Sequence, residues 1–298
     1  MLYIGEIAAL ITSIAFAITS TMFTQAGREV GATVVNRLRI TAASILLLAA
    51  QWLLSGSPWP IQAGVERWFW LGLSGIVGFV LGDAFLFQAF VWIGPRLSML
   101  MMSLAPVLAA MIAWIFLGER LSWLQITGII ITILGLIWVV NEKNNSDEVK
   151  KDNYLKGILF GFGAAVGQAV GFVMSKMGLS GDFSPISGNF IRMFSALIVI
   201  WLIALARNEV STTTRKIRQH PQAFWKTVAG AITGPFLGVS LSLFALQHTS
   251  VGIASTLIAL PPLFLLPIDR FIFKERFGWG TIAGTVLALC GVALLFLV

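Results

Sequence analysis

Long apolar runs, separated by short polar connections, follow one another along the whole 298-residue chain. Spanning a bilayer takes roughly 20 apolar residues per helix. Ten runs of about this length lie near residues 2–25, 33–54, 69–92, 96–117, 122–140, 155–178, 187–206, 224–246, 250–272 and 277–297. Only 11% of the residues are charged, against roughly 25% in soluble domains. The sequence therefore excludes a soluble enzyme and predicts an all-α polytopic membrane protein with ten transmembrane helices.

The net charge of +7 comes mostly from lysines and arginines beside the apolar runs. This placement indicates contact with lipid headgroups and no nucleic-acid partner. The single cysteine, Cys290, excludes a disulfide framework and a cysteine-based metal site. No H-E-x-x-H motif, Walker A loop or dinucleotide-binding glycine loop is present. We therefore expect no metal, no cofactor and no ATP-driven pump.

The polar segment 141–153 divides the chain into two halves, residues 1–140 and 154–298, that resemble each other. Several residues of the first half recur in the second half without a gap. At an offset of 156 residues these are Gly82 with Gly238, Pro106 with Pro262, Glu119-Arg120 with Glu275-Arg276, and Trp123 with Trp279; at an offset of 153 they are Asn36 with Asn189 and Arg39 with Arg192. We infer an internal repeat that covers nearly the entire chain.

Each half of the chain contains five predicted spans. Because five is an odd number, the second copy enters the membrane upside down relative to the first. Inverted repeats of this kind are typical of secondary transporters, whose substrate sites lie near the midplane between the copies. The sequence therefore predicts two inverted five-helix repeats around a central cavity.

Several motifs resemble the drug/metabolite transporter superfamily, and in particular its EamA-type branch. They are Gly82-Asp83, Ser103-Leu-Ala-Pro106, Phe116-Leu-Gly-Glu119, Phe273-Lys-Glu275, and Gly167-Gln-Ala with Ser175-Lys176. The resemblance implies ten helices in two inverted repeats and the transport of small metabolites or drugs, often as export of amino acids or aromatic compounds. One departure is that the small-multidrug members have a glutamate in the middle of the first helix, whereas residues 12–20 here contain none.

Asp83 is interpreted as the only acidic residue well inside a predicted span, and its repeat mate is Val239. An ionisable group at membrane depth is costly and is a site hypothesis by default. Asp83 is expected either to bind a substrate amine or titrate during transport, or to pair with a neighbouring helix as a packing contact.

Neutral residues on the spans that, by the resemblance, surround the cavity are further candidates for substrate binding. With Asp83, the set comprises Ser13, Phe16, Ser20, Gln88, Ser103, Gln168, Ser240 and Thr256. Hydrogen bonds between membrane helices often use such side chains for packing alone, so each residue also has a structural interpretation.

Arg39 and Arg192 occupy matched positions one turn into spans two and seven. Anchoring at the headgroups is the favoured interpretation, and a shared gating role is the alternative. Pro106 and Pro262 each remove a helix hydrogen bond, which predicts kinks that could act as hinges at matched depths. Glycines at four-residue spacing in several spans predict close helix packing.

The leading functional prediction is a secondary transporter, an exporter of small organic metabolites such as amino acids or aromatic and amphipathic compounds. One alternative is a cation-selective multidrug exporter that uses Asp83. Another is an intramembrane serine hydrolase, because Gly72-Leu-Ser74-Gly75 matches a G-x-S-G motif and His248 could act as the base. We expect a small-molecule substrate, a bilayer environment and no enzymatic activity. A monomer is compatible with the sequence, which does not define the oligomeric state.

Overall fold

The computed structural model describes residues 3–60, 63–117, 122–144, 151–179, 183–248, 257–274 and 278–296, and its regular secondary structure is helical throughout this part. The helices of the first half are α1 (Ile4–Val30), α2 (Ala32–Ser55), α3 (Val65–Gly75), the π-helical segment π1 (Ile76–Gly82), α4 (Asp83–Met102), α5 (Leu104–Leu117) and α6 (Trp123–Asn144). Those of the second half are α7 (Lys151–Gly178), α8 (Pro185–Ala206), α9 (Val210–Gln219), α10 (Pro221–Ala231), π2 (Ile232–Gly238), α11 (Val239–His248), α12 (Pro261–Phe271) and α13 (Trp279–Phe296).

Six helical stretches in the described residues are long and apolar enough to cross a membrane. They are Ile4–Val30, Ala32–Ser55, Val65–Met102, Trp123–Glu142, Asn153–Ser175 and Ile186–Ala206. Shorter apolar helices accompany them, among them Trp279–Leu294. The all-helical membrane class is confirmed, whereas the count of ten transmembrane helices stays a prediction.

Two glycines with positive φ interrupt the helices of the first half. Gly31 (φ 94°) ends α1, and its N–H donates to the Gly27 carbonyl at 2.9 Å. Gly94 (φ 77°) precedes Pro95 and kinks the helical stretch Val65–Met102. Glycine reaches this region of backbone conformation without the steric penalty that a Cβ would bring. The predicted boundary between the third and fourth runs falls at the Gly94 kink.

The helices break again one turn before each of the matched prolines. Ser103 separates α4 from α5, and its backbone N–H donates to the Leu100 carbonyl at 3.0 Å. Leu260 precedes α12, and its backbone N–H donates to the Leu257 carbonyl at 3.3 Å. A proline ring clashes with the carbonyl four residues earlier and offers no N–H to it. Breaks at matched depths before Pro106 and Pro262 are therefore present, and their role as hinges stays a prediction.

The repeat is visible in the element boundaries themselves. The α3–π1 junction and the α10–π2 junction lie 156 residues apart, and so do the first and last residues of π1 and π2. A π-helical turn is rare and usually short. Two seven-residue π segments at one fixed offset mean that both halves fold the same irregular backbone from their glycine-rich apolar sequence.

The last helices of the two halves, α6 and α13, pack against each other. A Cβ built on Gly135 would overlap the backbone of Ala288, and a Cβ built on Gly291 would overlap the backbone of Thr132. Both pairs are repeat mates with the halves exchanged, because Gly135 matches Gly291 and Thr132 matches Ala288 at the 156-residue offset. We call this reciprocal contact the α6–α13 seam.

The first helix of each half also packs against helices of the other half. α7 packs against α3, π1 and α4, while α1 packs against α10, π2 and α11. A Cβ on Gly167 would lie 2.7 Å from Gly82 Cα, so two glycine backbones meet in the first contact. In the second, Gly238 receives the Phe16 ring, 2.7 Å from its Cβ position. The same helix crossing is therefore filled differently in the two halves.

Candidate functional site

Asp83 is the first residue of α4 and directly follows π1. Its backbone N–H donates to the Gly78 carbonyl, five residues earlier, which is the π-helical pattern. The residue is only 3% exposed. The wide π turn therefore ends at the position where a carboxylate enters the helix bundle, an arrangement often found at functional sites.

Both carboxylate oxygens of Asp83 are engaged by the protein. Arg39 Nη2, on α2, donates to Oδ2 in a buried ion pair, and Gln168 Nε2, on α7, donates to Oδ1 at 2.9 Å. The same Arg39 nitrogen also donates to Asn36 Oδ1 at 3.3 Å, and Asn36 Nδ2 donates to the Phe79 carbonyl at 3.1 Å. An ordered polar network thus links α2, π1, α4 and α7. An amine that bound Asp83 would have to displace one of these donors.

Arg192, the repeat mate of Arg39, approaches the same place from α8. Its Cζ lies 4.6 Å from the centre of the Phe79 ring, and the Arg39 Cζ lies 5.6 Å from that ring centre. The backbone of α8 is held against α3 at this level, because a Cβ on Gly75 would overlap the Arg192 carbonyl. The two matched guanidinium groups therefore converge on one aromatic ring. We call Asn36, Arg39, Phe79, Asp83, Gln168 and Arg192 the Asp83 cluster.

The favoured interpretation of the two arginines as headgroup anchors is wrong. Arg39 is 6% exposed and paired with Asp83, while Arg192 is half-buried with its Nε and Nη2 atoms fully buried. The position near a helix start was compatible with anchoring. It could not reveal that α2 and α8 pack against each other, which turns both side chains toward the interior.

The Asp83 cluster carries one more positive charge than negative charge. Two guanidinium groups face one carboxylate, and Asn36, Phe79 and Gln168 are neutral. Among the described residues, Arg192 Nε and Nη2 have no hydrogen-bond partner. A buried charge normally needs a partner, because removing an ion from water costs several kcal/mol after relaxation. The cluster is therefore suited to receive an additional negative charge.

A second buried acid-base pair lies inside the bundle. Asp83 is therefore not the only acidic residue there, although the sequence pattern had indicated that it was. Arg96 Nε on α4 donates to Asp269 Oδ2 on α12 at 3.1 Å, and both side chains are at most 3% exposed. The sequence contained the signal, since Asp269 lies within the apolar run 250–272 and Arg96 heads the run 96–117. Both were missed because they lie near the ends of these runs.

A fourth arginine of the bundle, Arg37, faces the connection between α8 and α10. Its Nη1 donates to Thr213 Oγ1 at 2.8 Å, and its Nη2 pairs with Glu209. The hydrogen bond from Arg37 holds the pKa of the Glu209 carboxyl below its usual range. These contacts join α2 to α9 and to Glu209, which directly precedes it. The described residues that connect α2 to α3, 56–60 and 63–64, contain no helix that corresponds to α9.

The other sequence-predicted candidates lie apart from these bonds. Ser13 is buried and its hydroxyl has no partner among the described residues, Ser20 donates to the Ala17 carbonyl at 2.9 Å, and Phe16 packs on Gly238. Ser103 donates to the Leu100 carbonyl at 2.7 Å, and Gln88 is half-buried. Thr256 and the side chain of Ser240 lie outside the described residues, as do the motif residues Glu119-Arg120 and Glu275-Arg276.

The residues proposed for an intramembrane hydrolase are each bonded near their own helices. The fully buried Ser74 hydroxyl donates to the Leu71 carbonyl at 2.7 Å and lies 3.1 Å from Ser175 Oγ. His248 is exposed, and its Nδ1 lies 2.9 Å from the Phe244 carbonyl. Neither contact places the imidazole beside the serine. In the part of the chain that the structure describes, no group of three or more His, Cys, Asp or Glu side chains is arranged to hold a metal ion.

Comparison with known proteins agrees with this architecture. The model of the EamA-like transporter family matches residues 3–141 and 155–297. The chain belongs to the EamA-like transporter family. A protein of Archaeoglobus fulgidus named "Uncharacterized transporter" is 24% identical over 218 residues, which cover 73% of this chain and 74% of that relative. A solved structure named "Crystal structure of protein" matches at a TM-score of 0.60 and 18% identity, over 96% of this chain and 95% of that one. At this identity the likeness shows the fold alone.

Membership in the EamA-like transporter family identifies the protein as a multi-pass integral protein of the cell membrane that acts as a transporter. The match extends over both halves of the chain. The resemblance inferred from the short motifs is therefore confirmed at the level of the family.

Proposed function

We propose that this EamA-like protein is a secondary transporter that exports small organic metabolites, namely amino acids or aromatic and amphipathic compounds. Transport occurs by alternating access between two inverted repeats. The observation that carries the proposal is the exchange of helix contacts between halves that share one backbone pattern at a 156-residue offset.

Alternating access requires two arrangements of similar energy, one open to each side of the membrane. A protein built from two like halves supplies them when the halves exchange conformations around a fixed substrate site. Here α1 rests on π2 as α7 rests on π1. A rocking motion that loosens one of these crossings and tightens the other converts one arrangement into the arrangement related to it by the pseudo-twofold axis.

The Asp83 cluster lies between the two halves, so that a motion of one half relative to the other changes its contacts. Its residues come from α2, π1 and α4 of the first half and from α7 and α8 of the second half. Any relative movement of the halves changes the Gln168 contact to Asp83 and the Arg192 contact to Phe79. A substrate bound at this place would therefore bias the equilibrium between the two arrangements.

Flux measurement in proteoliposomes tests the proposal. Purified protein is reconstituted, and the efflux of preloaded radiolabelled phenylalanine, tryptophan, leucine and phenylacetate is compared with efflux from protein-free liposomes. Saturable efflux of at least one compound, together with exchange against the unlabelled compound from the opposite side, supports alternating access. Linear, non-saturable leakage of every compound at the protein-free rate would contradict the proposed function.

A further inference from the structure

We propose that the free edge of the Arg192 guanidinium binds the carboxylate of the transported solute, so that the substrate class is small organic monoanions or zwitterions with an apolar or aromatic body. The inference rests on the proposed function in one respect, namely that the bound solute is the one that is transported. The binding site itself stands on the geometry of the Asp83 cluster.

The unpartnered atoms of Arg192 form one complete recognition edge. Nε and Nη2 present N–H bonds that point in the same direction, and their spacing matches the two oxygens of a carboxylate. Both nitrogens are buried and have no hydrogen-bond partner among the described residues. A carboxylate offers one charged oxygen to each nitrogen, whereas an amide offers one uncharged oxygen to the pair.

The other arginines inside the bundle already have a carboxylate of the protein. Arg37 pairs with Glu209, Arg39 with Asp83 and Arg96 with Asp269. Asp83 is the carboxylate of the cluster, and its two oxygens accept hydrogen bonds from Arg39 and Gln168. Within the described residues, Arg192 thus differs from the other three in having no carboxylate bonded to it, although it occupies the position that matches Arg39 and lies in the field of Asp83.

Gly78 in π1 lies beside Arg192 and brings no side chain against it. A Cβ at Gly78 would lie 3.7 Å from Arg192 Nη2 and 3.8 Å from Gln168 Oε1, which is ordinary contact distance. At the matched position of the second half, Gly234 is occupied instead by the Thr19 methyl group, 2.6 Å from the Cβ position. A Cβ would therefore be tolerated at this glycine in the first half, whereas the matched glycine of the second half is too closely packed to accept one.

The neighbouring groups narrow the chemical class of the ligand. The Phe79 ring lies against the guanidinium and is itself half-buried, so an apolar or aromatic solute has a surface to contact beside the carboxylate site. The cluster has a single excess positive charge, which one carboxylate neutralises. A dianionic phosphate would place a second negative charge near Asp83 and is disfavoured.

Ligand binding by the purified protein tests the proposal with two probes of one size that differ in charge and with a small inorganic anion. Phenylacetate, its neutral analogue phenylacetamide and chloride are titrated calorimetrically in sodium sulfate buffer against wild type, Arg192→Gln and Arg192→Lys. We expect wild type to bind phenylacetate at least 10-fold more tightly than the amide, since charge-assisted hydrogen bonds are about twice as strong as neutral ones. Arg192→Gln should weaken phenylacetate binding about 10- to 100-fold and leave amide binding unchanged.

Two further variants separate charge recognition from general effects. Arg192→Lys keeps the charge but loses the bidentate edge, and we expect an affinity for phenylacetate between those of wild type and Arg192→Gln. Lys226→Gln removes one positive charge from a surface pair with Glu29, and we expect no change in phenylacetate affinity. Should Arg192→Gln not fold, the lysine variant alone still reports the loss of the edge.

Several outcomes would overturn the carboxylate site. These are no phenylacetate binding to wild type, equal loss of acid and amide binding in Arg192→Gln, or tight chloride binding with which phenylacetate does not compete. Flux in proteoliposomes distinguishes this failure from failure of the proposed function. Selective phenylacetate binding without any flux contradicts transport and leaves the binding site supported. Flux that is unchanged by Arg192→Gln contradicts the binding site and leaves transport supported.

Discussion

The α6–α13 seam and the Asp83 cluster lie in the same repeat but treat its symmetry in opposite ways. In the seam, Gly135 meets Ala288 and its mate Gly291 meets Thr132, so each contact occurs twice with the halves exchanged. In the Asp83 cluster, two matched arginines converge on a carboxylate whose own mate is Val239.

The repeat therefore duplicates the backbone packing and the two cluster arginines but provides the buried carboxylate only once. The second buried pair also occurs only once, because the mate of Asp269 is Ala113 and the mate of Arg96 is Gly252. In the mechanism proposed above, the duplicated frame supplies the two arrangements of the halves. The single charged site between the halves is the place where we propose that a solute is recognised in both arrangements.

The largest effect is expected from removing the matched arginines one at a time. Arg39→Gln leaves the buried Asp83 carboxylate without its cationic partner and should lower the free energy of unfolding by about 3–5 kcal/mol. Arg192→Gln removes a buried cation that has no hydrogen-bonded acidic partner among the described residues, and stability should stay unchanged or rise. Thermal unfolding in detergent measures both. Equal destabilisation by the two substitutions would mean that the cluster is as symmetric as the seam.

A smaller effect is expected in the seam. Gly135→Ala and Gly291→Ala each push a methyl group into the facing backbone, and overpacking of this kind costs about 1–3 kcal/mol. Because the two contacts are repeat mates, the two losses should agree within about 0.5 kcal/mol. The control is Gly64→Ala, since no atom lies within 4 Å of its Cβ position and its φ is −66°. Clearly unequal losses would show that the seam is not reciprocal.

The π segments provide a third comparison between matched glycines. Gly234→Ala would bring its new methyl group to 2.6 Å from Thr19 Cγ2 and should destabilise by about 1 kcal/mol. Gly78→Ala meets Arg192 and Gln168 only at contact distance and should change stability by less than about 0.5 kcal/mol. Denaturant or thermal unfolding checks both variants. A Gly78→Ala variant that is less stable than Gly234→Ala would contradict this difference in packing between the matched glycines.

The smallest effect is expected from Glu209, outside the membrane-spanning helices. Its pKa is lowered in the folded protein by the hydrogen bond from Arg37, from the usual glutamate value of 4.5. The stabilisation is therefore fully present above pH 4.5 and is lost as the pH falls through the lowered pKa. Glu209→Gln should remove part of the decrease in melting temperature on acidification below pH 4.5. An identical acid profile in wild type and variant would show that this pair does not contribute.

The sequence predicted those features of the fold that depend on local chemistry. The break at Gly94-Pro95 and the matched breaks before Pro106 and Pro262 follow from residues that cannot continue a helix. The 156-residue offset followed from unusual residues at fixed spacing. The π segments were not predictable, because glycine-rich apolar sequence is equally compatible with an ordinary α-helix.

The candidate site was only partly predictable. Asp83 and Gln168 were both chosen because polar groups at membrane depth are costly, and the structure joins them. Their link to Arg39 depends on how α2 packs on α4, which no spacing encodes. Asp269 was missed since a carboxylate near the end of an apolar run has the same sequence pattern as one in a connecting loop.

A structure of the protein with bound 4-bromophenylacetate tests the central claim most directly, because anomalous scattering from bromine locates the ligand without ambiguity. We expect the carboxylate on Arg192 Nε and Nη2, the bromophenyl ring beside Phe79, and the pair between Arg39 and Asp83 intact. Bromine placed instead along α1 near Ser13 and Phe16, or a ligand that displaces Arg39 from Asp83 while Arg192 stays free, would contradict the account.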